Sequence, residues 1–441
     1  MDKKLVGIFI CMLLIGTIIP AAGTIDQTES KTTSMDDIDW WPKFQHDSEN
    51  TGYSTSTAPN FKNILWTFTA NEGGFTNPIV VDDKVLIGSM GYFKNKFQGK
   101  LYCLDANSGS LLWTFTPLGN YAIYESPTVA EGKVFLGVGN WDNLISDKLV
   151  DLGDIYCLDI NDGRLIWEYD DEIYVEGGVN VVEGKVYVGG CTSDHLGLVL
   201  CLDAETGEEI WSSNAGNNFI RDPICVANNN IYFCTSNGNK VFCLNALDGT
   251  EKWQYNTFAS ANSAPTVVNG KVFFGCQGYG QSSGQPDDPG VLYCLDAETG
   301  AEIWTHNTYE NEFIDSSSPA IFDNSIFIGT TGISKYTGIR CFDSSDGSVI
   351  WSRPLIGVVI ESSPAVADGK VFISSLFGYG YYCLGAFYCL DISTGLVLWR
   401  HFEFGQVPYF STPAIANGKV YVGLSTGTGL FKQKGTLFCF S

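Results

Sequence analysis

The chain has 441 residues, 44% of them hydrophobic, and carries a formal net charge of −24. So large a negative charge argues against nucleic acid or an anionic membrane surface as its partner. Its 49 glycines and 14% aromatic content suit many short strands and tight turns better than helices.

The chain begins Met1-Asp-Lys-Lys4, continues with an apolar run from Leu5 to Ile19, and then reads Pro20-Ala-Ala-Gly23. A positive start, a short apolar core and small residues describe a secretory signal peptide over 1–23. The run is shorter than the roughly 20 residues of a spanning helix, so no spanning segment is expected after cleavage. Residues 24–39 are polar, with almost no large apolar side chain, and read as a flexible linker.

From residue 40 onward the chain repeats itself. Asp105/Gly109/Trp113 is followed by Asp159/Gly163/Trp167, Asp203/Gly207/Trp211 and Asn245/Gly249/Trp253. Asp296/Gly300/Trp304, Asp343/Gly347/Trp351 and Asp391/Gly395/Trp399 complete the series, and a Cys stands two residues before each Asp or Asn. An eighth copy starts at Cys439 and stops at Ser441, while an unpartnered Ile64-Leu-Trp66-Thr-Phe68 lies near the other end.

Each unit contains four strand-like pieces. In the second, Ser126-Pro-Thr-Val129 leads through Glu131-Gly132 into Lys133–Gly137; Ile155–Leu158 and Leu165–Trp167 follow. The x-Gly pairs are two-residue hairpin signals, and Asp-x3-Gly is a second turn in which Asp accepts from its own loop. Four antiparallel strands recurring every 42 to 54 residues, counted between tryptophans, describe an all-β, eight-bladed β-propeller of four-stranded blades. The strand around Trp66 should complete the C-terminal blade and remove the open edges. The repeated Trp is expected to fill the gap between adjacent blades. The eight equivalent cysteines lie on different blades, too far apart for disulfides, and should be free thiols.

The pattern Leu-Tyr-Cys-Leu-Asp-Ala-Glu-Thr-Gly…Trp, clearest at Leu292 to Trp304, resembles the repeat of PQQ-like propellers. Trp41-Pro-Lys-Phe-Gln-His-Asp…Asn50-Thr-Gly-Tyr53 is similar to the lead-in of many exported members. The resemblance covers 40–441. It implies one of two kinds of protein: a non-catalytic scaffold, as in outer-membrane barrel-assembly lipoproteins, or a quinone (PQQ)-dependent dehydrogenase using PQQ and calcium. The chain lacks the adjacent Cys-Cys pair common in the dehydrogenases and lacks a Cys-x-x-Cys-His haem site. The scaffold reading is therefore preferred, with no cofactor and no catalytic residue. A surface glycan-binding module is the third reading.

Two sets of residues are candidates for binding. Those just before each blade's first strand should ring one mouth of the channel: Asn77, Glu125, Glu176, Arg221, Asp222, Asn262, Asp315 and Glu361. They could bind a cation or polar ligand, act as acid and base, or simply solvate the strand ends. The second set lies in the long connections: Tyr92, Phe93, Trp141, Tyr279, Tyr336, Phe377, Tyr379 and Tyr381, with Phe431 beyond them. These loops share the face opposite the short turns and vary in length, 13 residues from Asn230 to Cys243 against 24 from Lys133 to Cys157. Such a face suits a protein partner. The acidic loops around Asp142 and at Pro286-Asp-Asp-Pro289 lack a dedicated calcium spacing and read as solvated. His46, His195, His306 and His401 fall in different parts of the chain and assemble no metal site. The sequence thus describes an exported monomer that binds a protein at the cell surface or envelope.

Overall fold

The computed structural model describes residues 38–441 apart from 72, 94–95, 120, 141–151, 171–172, 237, 279–288, 333, 358–361, 379–382, 408–410 and 427–433. Local turn chemistry sets each blade. Glu131 and Gly132 both take positive φ, 50° and 73°, as do Glu183–Gly184, Asn269–Gly270, Asp368–Gly369 and Asn417–Gly418. That is the geometry a two-residue hairpin of matching twist requires. At the other turn, Asp105 Oδ1 accepts from the backbone N–H of Asn107 and Ser108 at 3.1 and 2.7 Å, and Gly109 closes the loop at φ 70°.

The second blade is Thr128–Ala130, Lys133–Gly137, Ile155–Asp159 and Leu165–Tyr169, paired antiparallel in that order. Its register sets Cys157 opposite Trp167, with a bulge immediately after Cys157. The same pair and bulge recur from Cys103/Trp113 to Cys389/Trp399. The described residues form eight such blades. In the last, Ile64–Ala70 pairs antiparallel with Gly435–Phe440, Trp66 faces Cys439, and Ser441 N–H donates to Asn63 C=O at 2.9 Å. The thirteen cysteines of the described residues are unpaired and buried. Burial pushes the repeat thiols well up, Cys103 and Cys157 to about 12, so they remain neutral fillers.

Blades are joined through Trp and Gly together. Trp253 Nε1 donates to Ala297 C=O of the following blade at 3.0 Å, and the ring lies on that blade's turn glycine. A Cβ on Gly300 would stand 2.6 Å from Trp253 Cδ2. The turn glycine therefore serves twice, for positive φ and as the seat of the previous blade's Trp. The same pairing joins Trp66 to Gly109 and each blade onward to Trp351 and Gly395. Trp399 has no such turn ahead of it, because the ring is sealed there; its Nε1 donates instead to Pro59 C=O at 3.3 Å.

The segment from Trp41 to Gly52 fills the channel. Without it the first strands of blades one, two and four to seven would present unpaired N–H groups to the interior. Trp41 exchanges two backbone hydrogen bonds with Val80 of the first blade, and Val129 of the second donates to Pro42 C=O at 2.8 Å. The third blade reaches the segment through Asn180 Nδ2, which donates to Ser48 C=O at 3.1 Å. Val226, Val267, Ile321 and Val366, from blades four to seven, donate to Ser48, Glu49, Thr51 and Gly52 at 2.8–3.0 Å. To visit so many blades in so few residues the backbone kinks: Gln45, His46, Asn50 and Gly52 all have positive φ. Gly52 is obligatory, since a Cβ there would meet Gln45 Oε1 at 2.2 Å.

Candidate functional site

Each first strand runs from the residues before its proline to the x-Gly turn. The pre-proline residues therefore sit at the end of the channel that carries the long connections. The plug leaves by the other end, where Gly418 N–H donates to Ser56 Oγ and Ala58 N–H to Asp368 Oδ2, both at 3.2 Å. One end of the channel is thus filled and the other is open.

The open mouth has two unlike arcs. In blades one, five, six, seven and eight the second residue before the proline is Thr76, Ser263, Ser317, Ser362 or Ser411, all fully buried. Each hydroxyl accepts from the backbone N–H of the adjoining strand twelve residues on, at 2.8–3.3 Å. One residue further, a relay passes around the ring. Ala264 N–H donates to Ser318 Oγ and Ser318 N–H to Ser363 Oγ, both at 2.9 Å. Ser363 N–H then donates to Thr412 Oγ1, Thr412 N–H to Asn77 Oδ1, and Asn77 Nδ2 to Glu125 Oε1.

Past Glu125 the hydroxyls stop. Blades two, three and four carry Glu125, Gly177 and Arg221 at the corresponding position, with Glu176 and Asp222 beside them. Glu125, Glu176, Arg221, Asp222 and Phe44 of the plug line one cavity of about 680 Å³, its open mouth included. Six of the eight residues expected at the mouth line it: Asn77, Glu125, Glu176, Arg221, Asp222 and Asn262. Asp315 stands against its wall, accepting from Asn262 Nδ2 at 3.4 Å and Gln277 Nε2 at 3.2 Å. Glu361 lies outside the described residues.

The acids are half-buried and crowd one another. Desolvation, with the charges of Asp222 and Glu176 nearby, pushes Glu125 up to about 8 against the hydrogen bonds from Ser126 N–H and Asn77. Asp222 rises to about 7 through desolvation and the charges of Glu176 and Asp315. Glu176 and Asp315 are also raised by burial, although Arg221 Nε lies 3.6 Å from Glu176 Oε2 and Tyr174 donates to that oxygen at 3.2 Å. Burial and mutual crowding thus favour the protonated form of these carboxyls. Ser236 Oγ and Asn262 Oδ1 line the same cavity with no hydrogen-bond partner; Ser236 is only 5% exposed. The pre-proline alignment reached the acids but not the hydroxyl relay or the plug.

Of the loop aromatics, Trp141, Tyr279, Tyr379, Tyr381 and Phe431 lie outside the described residues. Tyr92 and Phe93 pair as a short strand with Lys96–Phe97. Tyr336 packs on Tyr309 with ring centroids 4.5 Å apart, and Phe377 is 58% exposed. Sequence reasoning missed Phe404, 83% exposed, and Phe258 and Tyr309, about half exposed, which follow or end fourth strands on the same face. Apolar exposure is not confined there: Leu112, Ile166, Ile210 and Ile350, each just before a repeat Trp, are also exposed on the outer strands.

A family model described as outer membrane protein assembly factor BamB matches residues 56–145, 151–285 and 288–437. The chain belongs to this BamB-like family of PQQ-type repeat propellers. It is similar to tetrathionate hydrolase of Acidithiobacillus ferrooxidans, 23% identical over 76% of this chain and 68% of that protein. It is also similar to outer membrane protein assembly factor BamB of Nitrosomonas eutropha, 28% identical over 56% of this chain and 57% of the relative. The chain thus spans between about half and two thirds of the length of these curated relatives. Among solved structures, quinohemoprotein alcohol dehydrogenase from Comamonas testosteroni shares the fold, with a TM-score of 0.64, 15% identity, and coverage of 91% of this chain and 80% of that one. Among the described residues no helix is long and apolar enough to cross a membrane.

Proposed function

We propose that the protein is an exported, non-catalytic scaffold that docks a protein partner on the face carrying the long connections. The observation behind this reading is the contrast between the channel's two ends. The plug fills one end by hydrogen-bonding blade after blade, while the other keeps an open pocket, and Phe258, Phe377 and Phe404 are exposed on that same face. Exposed aromatics on a rigid frame are the usual anchors of a protein interface. Membership of a family described by an outer membrane assembly factor supports a place at the envelope.

The quinone reading fits the pocket poorly. Pyrroloquinoline quinone carries three carboxylates, and here it would meet four acids and a single arginine whose guanidinium faces Glu176. Among the described residues no three His, Cys, Asp or Glu side chains gather closely enough to hold a metal ion. Tetrathionate, a dianion, would meet the same acids.

Cross-linked capture from the native envelope tests the proposal. Phe377→Asp with Phe404→Asp should lose a partner that the parent protein captures, with an unchanged melting temperature. Leu112→Asp with Ile166→Asp, on the outer rim, should keep it. Loss only with the rim pair would place docking elsewhere, and added PQQ acquiring a bound quinone absorbance would favour the dehydrogenase.

A further inference from the structure

The acid pocket is more than a hydrated strand end. Five of the eight blades satisfy the same positions with small hydroxyls bonded to their own backbone, so the fold does not need carboxylates there. In three adjacent blades it carries Glu125, Glu176 and Asp222 at or beside those positions instead, and all three line one cavity with Phe44. The groups facing the cavity are Glu125 from the second blade, Glu176 from the third, Arg221 and Asp222 ahead of the fourth, with Asp315 against the wall. Among the described residues Arg221 is the one cation in the cavity's lining against these four acids, so each carboxyl that ionises adds negative charge there.

Two further acceptors in the same wall, Ser236 Oγ and Asn262 Oδ1, lack partners inside the protein. Buried polar atoms are nearly always satisfied, so an unpaired hydroxyl and amide oxygen facing a cavity point to a hydrogen-bonding ligand there. A group with positive charge and several N–H donors would suit both these atoms and the acids. An anion is repelled. A neutral polyol would supply donors but no charge. For a coordinated metal, no three His, Cys, Asp or Glu side chains among the described residues gather closely enough. An ammonium group, with three donors and an alkyl stem to lie along Phe44 and Tyr124, meets both requirements.

We propose that the pocket of blades two to four binds an alkylammonium group, either a free aliphatic amine or a lysine side chain presented by another protein. The inference stands without the docking reading. Binding displaces protons from the crowded carboxyls: the ammonium enters, a carboxyl proton leaves to solvent, and charge balances.

Calorimetry on the intact protein with n-butylammonium and with an N-acetylated lysyl tripeptide amide tests this. Affinity for n-butylammonium should rise up to about tenfold per pH unit between pH 6 and 8 for each proton displaced. Proton release should appear as a dependence of the heat on the buffer's ionisation enthalpy. Binding of both probes points to a lysyl side chain as the source, and binding of the free amine alone to a small metabolite. Glu125→Gln with Asp222→Asn should weaken binding at least tenfold; Ser236→Ala, a milder change that keeps the fold, should weaken it a few-fold. Absence of n-butylammonium binding at millimolar concentration, pH-independent affinity, or tighter binding of calcium or glucose would each overturn the proposal. Amine binding without partner capture would leave the pocket standing and defeat the docking reading alone; capture without amine binding would do the reverse.

Discussion

The two arcs of the channel mouth do the same structural job with different chemistry. In blades five to eight and one, a hydroxyl two residues before the proline accepts an N–H of the adjoining strand, and a second residue hands a hydrogen bond to the next blade. In blades two to four the equivalent positions hold Glu125, Gly177 and Arg221, and the relay ends on a carboxyl. One arc is satisfied within itself; the other leaves buried acceptors unpaired and acids crowded. A repeat fold needs only one solution to a repeated problem. Three consecutive repeats drop that solution, and the departure is what the proposed amine pocket would account for.

The comparison breaks first if the arcs also differ at the outer rim. They should not, because the Trp-on-Gly joint is the same in both: Trp211 sits on Gly249 and Trp304 on Gly347, with a Cβ distance of 2.5 and 2.6 Å to the ring. Trp211→Ala in the charged arc and Trp304→Ala in the hydroxyl arc should each cost about 3–5 kcal/mol, as large core truncations do. Chemical denaturation measures both. A difference of more than about 2 kcal/mol between them would mean that the arcs differ in packing as well as in chemistry.

A smaller effect separates the arcs at the mouth. Ser317→Ala removes the acceptor of Gly329 N–H in a fully buried position, and Ser362→Ala does the same for Ser374 N–H. Leaving a buried N–H without a partner costs about 1–3 kcal/mol. Neither hydroxyl titrates, so the loss should be the same at pH 5 and pH 8. If the loss falls below about 0.5 kcal/mol, water replaces the hydroxyl and the tie is dispensable.

The blades, their number and their seam were legible because each is written many times over. Seven Asp-x3-Gly…Trp copies, eight cysteines in register and one stray Trp66 admit a single closed arrangement. The Trp-on-Gly joint was half visible: both residues recur, but Trp253 touches Gly300 of the next repeat, not Gly249 of its own. The plug was illegible, because Trp41 to Gly52 has no repeat and its partners are backbone groups in six blades and the Asn180 side chain in a seventh. The acids were found by aligning on the proline. The same alignment contains the hydroxyl series Thr76, Ser263, Ser317, Ser362 and Ser411, whose meaning depends on backbone donors that sequence does not display.

A further effect has the opposite sign, which makes it the sharpest contrast between the arcs. Glu125 is raised to about 8 in the folded protein, against roughly 4.3 for a solvated glutamate. Between those values the folded state holds a proton that the unfolded state has lost. Stability therefore falls as pH rises from about 4.5 and levels off once the folded group ionises near 8. Asp222, raised to about 7, adds to the decline over the lower part of that window. Glu125→Gln keeps an oxygen to accept from Ser126 N–H and Asn77 Nδ2 but has nothing to ionise. The variant should match the parent near pH 4.5 and exceed it in melting temperature at pH 8.5, whereas Ser317→Ala lies below the parent at both. Melting curves across that range decide the matter. A Gln variant less stable than the parent at pH 8.5 would show Glu125 to be a paired, stabilising carboxylate, and the charged arc would then be structural after all.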